Sequence, residues 1–464
     1  MPDYRACVLP GDSPFPLPLI EEAIELAGCR EQRRRLLPAA GVMMFVLGCC
    51  LFEGEGYGEV ARKLAGQLAP LAARRWHVPG TAALARARRR LGEGPFEVLF
   101  RLVAGFLAGP ATPGAAAFGR LVATLDGTTL DLPHTPANIA AFGPAPRGGQ
   151  AGGFPQARLV LLAAAGTRGL AAAAFGPRKG KGTSEQALAR QIAASRATGP
   201  GMLVLADRNF CGHRVVSALT ATGADVLIRA KSCQVLPVVA ALPDGSYRSV
   251  LADPAASRRR HRRNSLRRRR GSTLPPDPIT FEGIPIRVID ADITAVPATG
   301  TPRTTHYRLL TTLTDPATAP AAQIAALYAQ RWEAETGYRE LKTFLTGPGR
   351  VLRSRDPAGI RQEIWALLTA GQLIHTRRAS AAATAGHDPD RISYTITLRA
   401  IRRTITSTAP APGTHTEALS QLLPPHRRSR SYPRLLRTST ANRRHARTTT
   451  PTTYNITINP PAPP

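Results

Sequence analysis

Two aspartates and one helical segment hold the residues whose types and spacing could do chemistry. Asp126 closes the apolar run RLVATLD (120–126) and Asp207 closes GMLVLAD (201–207). Each run reads as a buried strand ending in an acid, and the carboxyl ends of strands in an α/β sheet face the crevice where ligands bind. One such ending is ordinary, because aspartate also starts turns and caps helices. Two of them in a strongly basic chain favour a divalent cation, since carboxylate oxygens are the donors that Mg²⁺ and Mn²⁺ prefer.

A third carboxylate is then expected from a later element, and YAQRWEAETGYRELK (328–342) offers three glutamates. With Tyr328 at zero on a helical wheel, Arg331 falls near ~300°, Glu335 near ~340° and Lys342 near ~320°. Those four share one face. Leu327, Tyr338, Leu341 and Leu345 form an adjoining apolar stripe that would dock the helix on the sheet. Glu333 and Glu340 turn to the other side and read as solvated, so Glu335 is the glutamate with a function. Lysine stands at only five positions (63, 179, 181, 231 and 342) beside many arginines. Lys342 therefore suggests a compact ammonium rather than a guanidinium fork.

The elements that must position these residues can be read on either side of them. Residues 15–110 carry helical periodicity, with TAALARARRRLG opening on Thr81 as a helix cap. Arg86, Arg89 and Arg90 share one face of that segment; a DNA-reading helix and a solvated arginine face both fit. From about 117 the order becomes three strands (120–126, 157–166, 170–176), a helix (183–197), a strand (201–207), a helix (211–221) and a strand (224–230). That order predicts a mixed α/β sheet covered on both faces. Residues 231–318 are β-like and read as an insertion, with RRRHRRNSLRRRR (258–270) as a charged, disordered loop. Helical periodicity returns at 319–346 and 357–378. Beyond 380 the chain is rich in Thr, Pro and Arg and reads as a largely disordered tail, with order conceivable near 391–407.

Composition narrows the partners. The chain has 464 residues, a hydrophobic content of 43% and a formal charge of +30. That length supports two or three domains with real cores, and the charge calls for a polyanion, most simply nucleic acid. The six cysteines (7, 29, 49, 50, 211 and 233) form no C-x-x-C pair. They read as reduced, buried thiols of a cytosolic protein. LLPAAGVMMFVLGCCLF (36–52) is broken by Pro38 and Gly41 and reads as a buried helix rather than a membrane span.

The spacing Tyr328-(2)-Arg331-(3)-Glu335-(6)-Lys342 resembles the Y-R-E-K signature of insertion-sequence transposases of the IS-four family, members of the DDE group. DGTTL around Asp126 and LADRNF around Asp207 look like that family's two aspartate motifs. The resemblance covers most of the chain. It implies a helical N-terminal DNA-binding domain (1–115), a ribonuclease-H-like core (116–380) with the β-rich insertion 231–318 before the glutamate, and a basic C-terminal tail (381–464).

The activity implied is cut-and-paste DNA transposition: metal-dependent cleavage and strand transfer at terminal inverted repeats. Asp126, Asp207 and Glu335 would hold two Mg²⁺ or Mn²⁺ ions. Tyr328, Arg331 and Lys342 would contact the DNA backbone near the cut. Arg208, after the second aspartate, could touch DNA or pair with an acid. Partners would be double-stranded DNA, both terminal repeats and target, with the protein a dimer on DNA, at the nucleoid in the cytoplasm. Some relatives hold a flipped base with an aromatic residue of the insertion. Trp76, Trp332 and Trp365 all lie outside it, leaving Tyr247, Phe281 or Tyr307 for that task. A catalytically inactive, transposase-derived DNA-binding protein is the alternative; the complete carboxylate set argues against it.

Overall fold

A computed structural model describes residues 15–33, 35–73, 75–109, 111–144, 153–269, 282–297, 302–328, 337, 338, 340, 341, 347, 351–407, 414–423 and 452–461. The chain divides into two compact units, Met1–Met202 with Trp332–Leu423, and Leu203–Arg331 with Pro424–Pro464. In chain order the first unit opens with helices α1 (Leu17–Leu26), α2 (Ala39–Leu51), α3 (Tyr57–Lys63), α4 (Ala65–Leu68), α5 (Thr81–Leu91) and α6 (Gly94–Val103). Next come β1 (Ala116–Ala117), β2 (Arg120–Asp131), α7 (Pro136–Phe142), β3 (Gln156–Ala164), β4 (Leu170–Pro177) and α8 (Glu185–Ala194). The second unit takes up the chain within β5 (Met202–Ala206) and continues with α9 (His213–Thr220), β6 (Asp225–Arg229), β7 (Ala240–Ala241), β8 (Tyr247–Ala252) and α10 (Pro254–Arg269). It goes on through β9 (Gly283–Pro297), β10 (Arg303–Thr311) and α11 (Ala321–Tyr328). Helices α12 (Pro357–Thr384), α13 (Tyr394–Thr406) and α14 (Thr414–Leu419) return to the first unit, and β11 (Thr452–Ile458) to the second.

In the first unit β2, β3 and β4 form an antiparallel meander, with Asp126 opposite Leu161. Leu159 and Leu161 enter a core shared with α2, α6 and α12. Val160 and Leu162, on the opposite face of the strand, are also buried, and α8 lies against β3 and β4. Both faces of the meander are thus covered, as strands this apolar require. Helix α2 is apolar all round and every residue but Ala40 is buried, as expected of a core helix. No helix among the described residues is long and apolar enough to cross a membrane.

The 28-residue helix α12 starts at Asp356, whose carboxylate accepts from Gly359 N–H at 2.8 Å. Its buried glutamines act as stitches. Gln362 donates to the carbonyls of Arg88 and Gly92, while Gln372 donates to Val103 and Gly105 and accepts from Leu170 N–H at 2.6 Å. These bonds tie α12 to the ends of α5 and α6.

In the second unit β5 and β6 are parallel and joined through α9. β6 then pairs antiparallel with β10, β10 with β9, and β9 with both β8 and β11. Arg287 on β9 is fully buried. It pairs with Asp244 and donates to Ser246 Oγ at 2.8 Å and to the Ala319 carbonyl at 2.6 Å, fastening the loop that leads into α11.

Several expectations are corrected. The basic run 258–270, read as a disordered loop, is helical through Arg269: arginine is a good helix former, and Asp253 caps the start by accepting from Ala255 and Ala256 N–H. Of the tail beyond 380, α13 falls within 391–407, where order was conceivable, while α14 and β11 correct the disordered reading; 408–413, 424–451 and 462–464 lie outside the described residues. In α13 the apolar residues Leu398, Ile401 and Ile405 recur at helical spacing and are buried, so packing overrides an Arg/Thr-rich composition. Strand β2 does not end at Asp126 but runs to Asp131. The cap of α5 is Gly80 rather than Thr81. Cys49, Cys50 and Cys211 are buried, and burial pushes the Cys49 thiol up to about 12, whereas Cys233 is exposed. Cys7 lies outside the described residues.

Candidate active site

Asp126 sits mid-strand in β2 and is partly buried. Its Oδ1 accepts from Gly127 N–H at 2.8 Å, which orients the carboxylate. Behind it stands Tyr338. The buried Tyr338 hydroxyl accepts from Leu161 N–H at 3.1 Å and donates to the Asp126 carbonyl. Those two backbone groups belong to residues that face each other across the β2–β3 ladder, so one hydroxyl bridges the strands at the aspartate. Burial, then the nearby Asp126 charge, pushes the Tyr338 pKa well above its usual value, so the hydroxyl keeps its proton and can donate.

Glu185, the first residue of α8, was not singled out by sequence reasoning. Its side chain presses on Gly127, where an added Cβ would come within 3.0 Å of the carboxylate. A side chain at that position would crowd Glu185. The only sequence signal was an acid after a Thr-Ser pair, which also describes an ordinary helix start.

Asp207 directly follows β5 and caps a short 3₁₀ turn, Arg208–Phe210, its Oδ1 accepting from Asn209 N–H at 2.7 Å. One residue earlier, the Ala206 carbonyl accepts from the Tyr328 hydroxyl at 3.1 Å. Tyr328 is 4% exposed and its ring meets Tyr307 edge-on at 6.0 Å. Tyr328 was expected at the DNA backbone; here its hydroxyl braces the strand end that presents Asp207. A wheel drawn from Tyr328 could not reveal this, because the partner is a backbone carbonyl about 120 positions away in the chain.

Arg331, Glu335 and Lys342, like Glu333, lie outside the described residues. Around them Tyr338 and Leu341 are buried, as the apolar stripe predicts, and Leu345 is outside the described residues. Glu340 corrects the helical-face reading: expected in solvent, it is 2% exposed. It pairs with Arg168 at 3.0 Å and lies 3.8 Å from Arg378 on α12. Arg168 also pairs with Asp390. Its backbone is left-handed (φ 63°), a conformation that costs a non-glycine residue about 1 kcal/mol and that these ion pairs offset. His375 completes the cluster. Its Nδ1 lies 3.2 Å from Arg378 Nη1, which can only donate, so the ring proton sits on Nε2. Burial, then the Arg378 and Arg168 charges, holds the His375 pKa well below 6.5. The 4.0 Å approach of Nε2 to Glu340 is therefore between a neutral ring and a carboxylate, not an ion pair.

Arg208 is exposed on its turn. Arg86, Arg89 and Arg90 are exposed on α5, while the intervening Arg88 points inward to Gln362, Tyr57 and Ser354. Arg90 is engaged by Glu31 at 2.9 Å. Of the aromatic residues in the insertion, Tyr247 is buried with its hydroxyl near Asp290, and Tyr307 is half-buried under the Arg229 guanidinium at 4.4 Å. Phe281 lies outside the described residues. Among the described residues no three His, Cys, Asp or Glu side chains gather as a metal cluster. Within the first unit the structure brings together Asp126, Tyr338 and Glu185; within the second, Asp207 and Tyr328.

Strands in the order three, helix, one, helix, one, with an oriented aspartate on the first and another after the fourth, describe a polynucleotidyl-transfer core. Comparison with known proteins agrees. A family model described as Transposase DDE domain matches residues 117–372, more than half of the chain, and one described as Insertion element 4 transposase N-terminal matches 12–101. The protein belongs to the IS4 family of DDE transposases, enzymes of DNA transposition. A relative, the transposase InsG for insertion sequence element IS4 of Escherichia coli (strain K12), is 26% identical over 436 residues, covering 90% of this chain and 89% of its own. Among solved structures, the cryo-EM piggyBac transposase synaptic complex with hairpin DNA matches at a TM-score of 0.43 and 10% identity, over 90% of this chain and 83% of that one. Membership of the DDE family carries a general dependence on divalent metal and action on DNA.

Proposed function

We propose that Asp126, Asp207 and Glu335 form the catalytic carboxylate set and cleave and rejoin DNA at the terminal inverted repeats of an insertion sequence. The observation that carries this reading is the DDE match over 117–372, which spans two aspartates already oriented by backbone N–H groups. Hard carboxylate oxygens held this way suit Mg²⁺ or Mn²⁺, and we take the complement as two ions. Bound there, the ions would supply the charge that activates an attacking oxygen and stabilises the leaving one. The chain's own contribution is to aim the carboxylates. Gly127 and Asn209 N–H groups fix one oxygen of each aspartate, and Tyr338 and Tyr328 hold the adjoining backbone.

Arg331 and Lys342 are assigned to the DNA backbone near the cut, Arg331 by its bidentate fork and Lys342 as a point charge. Arg208, Arg86 and Arg89 extend the cationic surface, and residues 1–115 are assigned to DNA binding. Cutting both ends of an element fits a dimer on DNA.

The test is cleavage of a labelled duplex carrying the element's terminal repeat, in Mg²⁺ or Mn²⁺, by wild type, Glu335→Gln and Glu333→Gln. Loss of cutting in Glu335→Gln alone, with binding retained, is the expected result. Normal cutting by Glu335→Gln would remove Glu335 from the site.

A further inference from the structure

Helix α10 has no face with which to dock on protein. Its 16 residues, PAASRRRHRRNSLRRR, contain eight arginines and no acid. On a helical wheel drawn at about 100° per residue the eight arginine positions spread round the circle, and among the described side chains Arg258, Arg259, Arg262 and Arg263 are exposed. Like charges at i,i+4, such as Arg258 with Arg262 and Arg259 with Arg263, oppose the helix. The acids near its root, Asp253 and Glu282, approach Arg259 no closer than 3.7 Å. A helix of this composition is stabilised by an anionic partner running along it.

The root also gives the helix an address. Asp253, which caps α10, lies 3.9 Å from Nδ1 of His213. His213 is the first residue of α9, and α9 follows the 3₁₀ turn that Asp207 caps. Both elements belong to the second unit. From there α10 extends about 24 Å at 1.5 Å per residue, a length matched by about seven base pairs of duplex.

We propose that α10 is a phosphate-binding helix that lies along the backbone of the duplex entering beside Asp207. This rests on the transposase reading above and adds a contact surface to it. Phosphate contacts carry no sequence information, so the helix should strengthen terminal-repeat and unrelated duplexes alike.

The experiment is a salt titration of binding by the full-length protein to a terminal-repeat duplex and to an unrelated duplex of equal length. Wild type is compared with a triple Arg258→Ser, Arg262→Ser, Arg263→Ser variant and with Ser265→Pro, which keeps the charge but breaks the helix. Removing three phosphate contacts should lower the slope of log K against log salt by about 2.7 on both duplexes. Over a fourfold rise in salt that makes the loss of affinity about 40-fold smaller. Ser265→Pro should weaken both duplexes despite unchanged charge.

An unchanged slope in the triple variant, while wild type binds and cuts the repeat, would overturn the proposal and leave the transposase reading standing. Unaltered binding by Ser265→Pro would overturn the helical contact. Displacement by single-stranded RNA more readily than by duplex would overturn the choice of partner. Failure of wild type to cut the repeat at all would count against the transposase reading instead.

Discussion

Tyr338 shows how a single hydroxyl can matter to a carboxylate's placement without touching substrate. It accepts from Leu161 N–H and donates to the Asp126 carbonyl, so both backbone groups lose their bridge if the oxygen goes. In Tyr338→Phe the ring stays and the bridge is lost, at a cost of about 1–3 kcal/mol for unsatisfied buried groups. We expect a lower melting temperature, a reduced cleavage rate at saturating DNA and an unchanged Kd for the terminal-repeat duplex. A Kd that rises with no change in rate would make Tyr338 a DNA contact rather than a support for Asp126. The residue was visible in the sequence only as a member of an apolar stripe; its hydroxyl partner was not, because Leu161 and Asp126 are distant in the chain.

At the scale of elements, Glu340 is held by buried charge. Glu340, Arg168, Asp390 and Arg378 form linked ion pairs, and the neutral His375 ring lies 3.2 Å from Arg378 and 4.0 Å from Glu340. The unfolded chain can protonate His375 near its ordinary 6.5, while the folded chain resists because burial and two guanidinium groups oppose a further positive charge. The unfolded state therefore binds more protons below that value. The stability contributed by the neutral ring is fully present above pH 6.5 and is lost as pH falls below it, by up to about 1.4 kcal/mol per unit. Denaturant unfolding at pH 7.5 and 5.5 should show this slope in wild type and a flatter one in His375→Gln. Equal slopes would mean that the ring already carries its proton in the fold.

For the molecule as a whole, the chain's last described element closes a sheet that starts far upstream. β11 pairs with β9 along its length, Ile456 opposite Ile293, and its Thr-Tyr-Asn-Ile-Thr-Ile sequence alternates as a strand should. Truncation after residue 451 would leave the edge of β9 bare, a template for pairing with another chain. We expect the truncated protein to aggregate at lower temperature than the full chain, read by light scattering on heating. Coincident aggregation curves would mean that β9 needs no cover.

The sequence by itself determined the family and the α/β order, because strand runs and the Y-R-E-K spacing are local patterns. It also determined that α2 is a core helix, since an apolar run of that length leaves no solvent face. Only the tertiary structure decided which polar side chains are used inside. Glu340 and Tyr328 look like surface residues on a wheel, yet each meets a partner supplied by a distant element, Arg168 for one and the Ala206 carbonyl for the other. The same holds for α13 and β11. Their Thr- and Arg-rich surroundings resemble disorder, yet α12 and β9 offer them apolar or hydrogen-bonding surfaces that no local window contains. Periodicity reports what a segment can bury; the rest of the chain decides what it is buried against.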